Sequence, residues 1–426
     1  MTTLKSSLTP LEDGGRVVII GGGPGGTACA LALQHLAAEM GRRVQITLVE
    51  GKQFTGERHY NQCVGVLSPP LSSILEDDLC VPYPRYLVRD EIHGYVLHTA
   101  REQIKLDSLG EHSQTFRRVQ FDAYMLEMVK QHGISVLPAR VVDMEFHADR
   151  VVVYSESAPI DADVVVGAFG LDEGSAAMFA RLTPYHPPKA LSSIVTKYHP
   201  GPNGMAEFGT YIHAFLPAHP RIEFGGITPK GNHLTINIAG STVDTTMMRF
   251  FLDLPMVRTV LPNLSAAGIY DDNDLRFFRG RFPRSLARRY YGDRYVLVGD
   301  AAGLVRAFKG KGATSAMQTG IRAAETIMRH GISEQAFHHH YRSANQDILE
   351  DLPYGRGMRL LTIFLSRHGL LDPVIRTAKR KPRLQSALLD AVSARAPYKR
   401  VIENSLRSEI VWAVLQAMLL RDQKTY

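Results

Sequence analysis

Cysteine and tryptophan are the scarce residues: three and one, respectively, among 426. Cys29, Cys63 and Cys80 form neither a disulfide framework nor a C-x-x-C metal knuckle, so a reducing compartment is expected. No apolar run reaches the ~18 residues needed to span a bilayer. The stretch ahead of residue 16 lacks the apolar core of a signal peptide. A cytoplasmic protein, at most peripheral to the inner face of a membrane, is expected. Low-complexity blocks and internal repeats are missing too. So are H-E-x-x-H and EF-hand patterns, and adjacent His338, His339 and His340 on a helix would point in different directions, so no metal is expected. The net charge of +7 is too small and dispersed for nucleic acid. It suits an anionic ligand, or a basic face turned to a membrane or an acidic partner protein. What remains is an ordinary globular composition, 45% hydrophobic and 21% charged, in a chain long enough for two or three domains.

One stretch dominates what is there. Val17-Val18-Ile19-Ile20 suits a short buried strand. Gly21-Gly22-Gly23-Pro24-Gly25-Gly26 suits a tight turn, and Ala28 to Met40 a helix. This is G-x-G-x-x-G in the strand–turn–helix setting that gives the pattern meaning. Gly21 permits the turn, Gly23 lets backbone approach a pyrophosphate, and Gly26 lets helix and strand pack closely. The phosphates would lie against the open N–H groups of the helix. Val44 to Val49 then alternates and ends at Glu50, a carboxylate placed to accept ribose hydroxyls.

Farther along, residues 53–70 read as a long loop and Leu71 to Asp78 as a short helix. A strand pair is expected within Ile92 to Leu106, and an amphipathic helix over Ala123 to Gln131. Strands follow at Ser135–Leu137, Val141–His147 and Val151–Tyr154, and a core strand runs from Asp163 into Gly167-Ala168-Phe169-Gly170. Four short strands between 190 and 240, broken by Pro, Gly and Asn, indicate a second sheet of mostly antiparallel type. Thr245 to Val260 reads as helix. A second buried strand enters Gly299-Asp300-Ala301-Ala302-Gly303, and a long helix runs from Ala316 to His330. The remainder is helical, with breaks expected at Pro353, Gly369–Pro373, Pro382 and Pro397.

These pieces in this order resemble the glutathione-reductase-like flavoproteins of the aromatic-hydroxylase type, and within them the geranylgeranyl reductase family. Besides the fingerprint, three stretches carry the likeness. Arg118-Val119-Gln120-Phe121-Asp122 is similar to R-x-x-F-D, whose Arg lies along the cofactor. Gly299–Gly303, followed by Gly310-Lys311-Gly312, is similar to the second FAD motif. The resemblance implies that Asp300 contacts the ribityl chain or pyrophosphate. It also implies that Gly310, Gly312, Ala313 and Thr314 present backbone N–H groups to the flavin ring. Cys63-Val64-Gly65-Val66-Leu67-Ser68-Pro69 is similar to the reductases' C-G-G-G-L-S-P loop beside the isoalloxazine. The implied fold is α/β (α+β overall). A Rossmann-type FAD domain with a parallel sheet (15–75, 107–185 and 270–332) interleaves with an antiparallel-sheet substrate domain (76–106 and 186–269), and 333–426 form a helical C-terminal region.

The sequence departs from the family at three places. Phe169 stands where the superfamily's G-A-D-G has Asp, a residue tied to pyridine-nucleotide handling, so the electron donor is open between NAD(P)H and a reduced protein carrier. Val64 replaces a loop glycine. Tyr211-Ile212-His213-Ala214-Phe215-Leu216-Pro217 only approximates the reductases' Y-x-W-x-F-P strand.

Each candidate side chain has a plainer alternative. Asp300 also suits a helix cap. Lys309 and Lys311 would stabilise anionic reduced flavin, or simply be solvated. Cys63 would line the flavin face and supply a proton, or be a small unpaired thiol. Tyr211 and His213 would wall the pocket, with His213 a proton donor, or belong to the core. The cationic run Arg376–Arg383, with the apolar stretch Ile410–Leu420, suits either a solvated face or contact with an acidic membrane surface. The expected function is FAD-dependent reduction of a carbon–carbon double bond in a small apolar, isoprenoid-like substrate, with an electron-donor protein as a further partner. The alternatives are an FAD-dependent monooxygenase acting on an aromatic or polyketide-like ring, and a flavin-binding electron-transfer module without turnover.

Overall fold

The computed structural model describes residues 8–52, 63–108, 110–262, 275–305 and 312–405. Gly310, Lys309, Lys311, most of the loop before Cys63, and the apolar stretch from Ile410 to Leu420 with Trp412 lie outside the described residues.

The fingerprint forms as its residues dictate. Arg16–Ile20 is a strand and Pro24–Glu39 a helix. Its sheet has six strands in the order Tyr291–Gly292, Tyr295–Leu297, Val164–Gly167, Arg16–Ile20, Gln45–Val49 and Ser135–Leu137. All neighbours pair parallel except the Tyr291–Gly292 edge. Val17 to Ile20 and Val164 to Val166 are fully buried, as expected of parallel strands covered on both faces. The helices Pro24–Glu39 and Gly312–Arg329 pack directly against each other, with Gly320 close to the backbone of Gly25 and Cys29. Phe169 fills an aromatic core position, 5.2 Å from Phe179 between ring centroids.

The second sheet has seven strands: Phe278–Pro283, Ala190–Tyr198, His233–Gly240, Phe224–Lys230, Tyr211–Phe215, Gly94–His98 and Gln103–Asp107. Pairing is antiparallel except between Tyr211–Phe215 and Gly94–His98. One face carries Ile194, Phe215, Ile227, Ile236 and Ile238 against Met248 and Phe251 of the helix Thr245–Asp253. Along the last three strands the opposite face carries Tyr95, Leu97, Ile104, Leu106, Ile212 and Ala214. These pack on Ile375, Ala378 and Leu384 of the C-terminal helices. These C-terminal helices therefore form a layer on the second sheet. Phe278–Pro283 likewise joins this sheet, although the sequence places residue 278 with the nucleotide-binding part.

Polar contacts fix that layer. Glu223 accepts Arg359 Nε–H and Nη2–H at 2.6 and 2.5 Å, and Asp372 Oδ1 accepts the Thr99 hydroxyl at 2.5 Å. Within the cationic run, Arg376 and Lys379 both pair with Glu102, so part of its charge is neutralised inside the chain. No helix among the described residues is long and apolar enough to cross a membrane.

Several boundaries differ from the sequence reading. Pro353 lies inside the helix Gln346–Arg367 instead of ending it; the buried Arg359–Glu223 pair anchors the helix beyond the interruption. Pro255 splits the expected 245–260 helix into Thr245–Asp253 and Pro255–Arg258. Gly201–Phe208, read as loop from its Pro, Asn and Gly, is a helix with Pro near its start, where proline is tolerated. The helix expected from Ala123 begins at Arg118, so the R-x-x-F-D segment occupies its first turns.

Candidate cofactor and substrate site

The first half of the site is the turn at Gly23. This residue is the N-cap of the helix Pro24–Glu39, and no side chain caps that end. The first-turn N–H groups and the positive end of the helix dipole therefore face outward. A Cβ placed on Gly23 would meet no atom within 4 Å, so the space in front of the turn is open. At Gly26 the opposite holds: a Cβ would lie 1.9 Å from the Gly21 carbonyl oxygen. Gly21 and Pro24 shape the turn, and Gly25 is buried against the second helix at Ala316. Glu50, at the tip of the second strand, accepts the Gly22 N–H at 2.8 Å and the Lys52 N–H at 2.7 Å. Its carboxylate is thus oriented by backbone and still has lone pairs for hydroxyl donors.

The second half comes from three distant segments. Arg118 makes a bidentate pair with Asp122 at 2.9 to 3.2 Å. Burial opposes the guanidinium charge, but neighbouring Asp122, Cys63 and Asp300 outweigh it and raise the pKa above the usual value. Asp300 follows Gly299 at the end of the buried strand, and burial pushes its carboxyl up to about 6 despite the pull of Arg118. The Asp300 carboxylate faces the start of the helix Gly312–Arg329: a Cβ on Gly312 would sit 3.7 Å from its Oδ1. Ala313 and Thr314 continue that first turn, and the Thr314 hydroxyl donates to the Ser68 carbonyl at 3.4 Å. Thus the fingerprint, Arg118, Asp300, the Gly312 helix start and the Cys63–Pro69 loop enclose one region. An uncapped helix end with open space, a ribose-ready carboxylate and a buried Arg–Asp system fit FAD.

Beside Cys63 lies a residue that the sequence reading missed. Lys230 is buried and donates to the carbonyls of Cys63 at 3.0 Å and Val64 at 2.9 Å. Burial depresses its pKa to about 8, with Lys197, Arg118 and Arg117 adding repulsion. Gly65 makes this contact possible. Its φ is +78°, and a Cβ there would lie 2.1 Å from the Phe116 carbonyl and 2.7 Å from Lys230 Nζ. Gly65 N–H donates to Cys63 Sγ at 3.4 Å, which orients the thiol group. A lysine ending an apolar strand was the available signal.

Tyr211 and His213 do not join Cys63. His213 pairs in register with Ile227, three residues from Lys230, so along one strand they occupy opposite faces. Sheet register thus puts Tyr211 and His213 on the face away from Lys230 and the Cys63 loop. The Tyr211 hydroxyl donates to Asp107 Oδ1 at 2.7 Å. His213 Nδ1 and His98 Nε2 share a hydrogen bond at 2.9 Å, and His98 stacks on Phe215 at 4.5 Å. Burial holds His98 at about 4 and, with His98 beside it, His213 at about 3. Both shifts favour the uncharged form of the pair near neutral pH.

The same pair sets a pH dependence. Both histidines bind protons more weakly folded than unfolded, where the usual value is about 6.5. Their stabilising contribution is complete above that value and is lost as pH falls through 6.5 toward 4. In thermal melts, the His98→Phe/His213→Phe variant should show a shallower midpoint slope between pH 6.5 and 4 than the parent. Some slope should remain through His233, which burial and nearby lysines hold at about 3. An unchanged slope would contradict this.

No protein-family model matches the chain. A digeranylgeranylglycerophospholipid reductase from Methanothrix thermoacetophila is 25% identical over 343 residues, covering 73% of this chain and 77% of that protein. A geranylgeranyl bacteriochlorophyll reductase-like protein from Thermoplasma acidophilum superposes with a TM-score of 0.65 at 16% identity, covering 96% of each chain. The p-nitrophenol 4-monooxygenase of Pseudomonas putida superposes with a TM-score of 0.64 at 14% identity, over 89% of this chain and 97% of that one. The two structures establish the shared fold. With residues that fit FAD at Gly23, Glu50, Arg118 and Asp300, the chain is an FAD-dependent oxidoreductase, similar in sequence to that reductase and in fold to those flavoenzymes.

Proposed function

We propose that the protein reduces carbon–carbon double bonds of an apolar, isoprenoid-like substrate. The observation that carries this reading is the 343-residue similarity to a protein named as a digeranylgeranylglycerophospholipid reductase. The Cys63 loop supports it by standing between the FAD cradle and the second sheet. FAD, once reduced, supplies the hydride for such chemistry. The chain's own residues bind and orient. The N-terminal end of the helix Pro24–Glu39 takes the pyrophosphate, Glu50 the ribose, and Arg118 and Asp300 the middle of the cofactor. Cys63 lines the substrate side and is the group placed to hand a proton to a substrate carbon, while Lys230 positions its loop.

Phe169, packed with Phe179 and Tyr185, leaves no carboxylate where the related hydroxylases have one. This favours a reduced protein carrier over direct NAD(P)H as electron donor.

The test is anaerobic. The FAD-loaded protein is reduced with dithionite and mixed with a polyprenyl substrate, and the oxidised flavin band is followed. Return of the band with formation of the saturated product is the expected result. Return only on admission of air, with a hydroxylated aromatic product from an added phenol, would replace this reading with the monooxygenase one.

A further inference from the structure

We propose that the outer face of the helix Gln346–Arg367 is a two-fold interface with a second copy of this chain. The inference is independent of the reaction proposed above.

Exposed large apolar side chains gather on one side of the molecule. Among the described residues there are seven, and five of them are Phe250, Tyr354, Leu360, Leu361 and Phe364. Leu360, Leu361 and Phe364 are 53, 52 and 53% exposed. With Pro353, Tyr354 and Gly357 they recur at three- and four-residue spacing, so they form one stripe along the helix. Phe250 extends the patch sideways. Its ring lies 4.8 Å from that of His219, and Arg367 donates to the carbonyl of the neighbouring Pro220. A contiguous apolar patch of this kind marks an interaction surface.

The stripe cannot simply turn inward, because the opposite face of the helix is already engaged. Arg359 pairs with Glu223, and the Ser366 hydroxyl donates to the carbonyls of Leu216 at 3.2 Å and Pro217 at 2.9 Å. Gly355 lies against the Tyr398 ring, where an added Cβ would come within 2.8 Å. The outer stripe is thus presented on a fixed platform.

The order of charge and size along the stripe selects the occupant. Glu350 stands at one end and Arg367 at the other, both exposed. Neither makes an ion pair among the described residues. Two copies of the helix packed antiparallel, about a two-fold axis between Met358 and Arg359, set residue 350 of each opposite residue 367 of the other. The same register sets 353 opposite 364 and 357 opposite 360. Leu360 then enters the space over Gly357, where an added Cβ would meet no atom within 4 Å. Phe364 covers Pro353, and a Glu350–Arg367 pair closes each end. A parallel pairing would instead face Glu350 with Glu350 and leave Gly357 against Gly357. An anionic lipid surface would repel Glu350. The complementarity therefore fits a second copy of the same helix.

The experiment is sedimentation velocity of the FAD-loaded full chain from low to high micromolar concentration. A concentration-dependent dimer is expected. Leu360→Asp should weaken it by about tenfold or more, since the substitution occurs twice in a two-fold interface. Glu350→Arg and Arg367→Glu should each weaken it by a smaller factor, and the double charge exchange should restore it. All three side chains are exposed, so flavin content and the thermal midpoint of the dilute monomer should match the parent's. A chain that stays monomeric, a dimer insensitive to Leu360→Asp, or a double variant no better than the single ones overturns the proposal. Binding of a monomeric parent to phosphatidylglycerol vesicles, lost in Leu360→Asp, would also overturn it and assign the patch to a membrane.

Discussion

Replacing Gly26 with alanine should yield a protein that carries almost no FAD. The added Cβ would lie 1.9 Å from the Gly21 carbonyl oxygen, and neither atom sits on a flexible side chain. The helix Pro24–Glu39 must move away from its strand, carrying its uncapped N-terminus away from the pyrophosphate position. Overpacking of this kind costs about 1–3 kcal/mol or more, and each 1.4 kcal/mol is about tenfold in affinity. The flavin-to-protein absorbance ratio should fall below about one-tenth of the parent's. Full occupancy in Gly26→Ala would mean that this turn does not hold the cofactor.

The second large effect lies far from the cofactor. Arg359→Met leaves Glu223 buried without its bidentate partner, while both residues are only 9% exposed in the parent. Breaking a buried pair from one side costs about 3–5 kcal/mol, whereas exchanging both members for apolar residues is often close to neutral. The thermal midpoint of Arg359→Met should drop by several degrees, and the Arg359→Met/Glu223→Met double variant should recover most of the loss. Equal losses in single and double variants would show that the helix Gln346–Arg367 is anchored by something else.

What the sequence disclosed and what it withheld divide along one physical line. The elements on which the candidate FAD site is built were legible because each is a local pattern: a glycine turn between strand and helix, an acid at a strand tip, an aspartate after a buried strand. The burial of the polar side of the strand His233–Gly240 was not legible. His233, Thr235 and Asn237 alternate with Leu234, Ile236 and Ile238, a rhythm that usually places the polar side in water. Here His233 and Thr235 are buried, and Lys230 on the same side reaches the Cys63 loop from 167 residues away. Only tertiary structure reveals that. Register likewise escapes a sequence reading at Tyr211 and His213. They stand on a strand that resembles the reductases' substrate segment, but register turns them to the face away from Cys63. Pro353 was read as a break from its local effect, while the Arg359–Glu223 pair anchors the helix through it.

The most direct check of the central claim is the identity and amount of flavin bound by the purified protein. Heat-released flavin, separated by chromatography after reconstitution and removal of excess, should be FAD at one molecule per chain, with occupancy lost in Gly26→Ala. FMN in its place, or no flavin retained after reconstitution, would contradict the cofactor assignment and the oxidoreductase built on it.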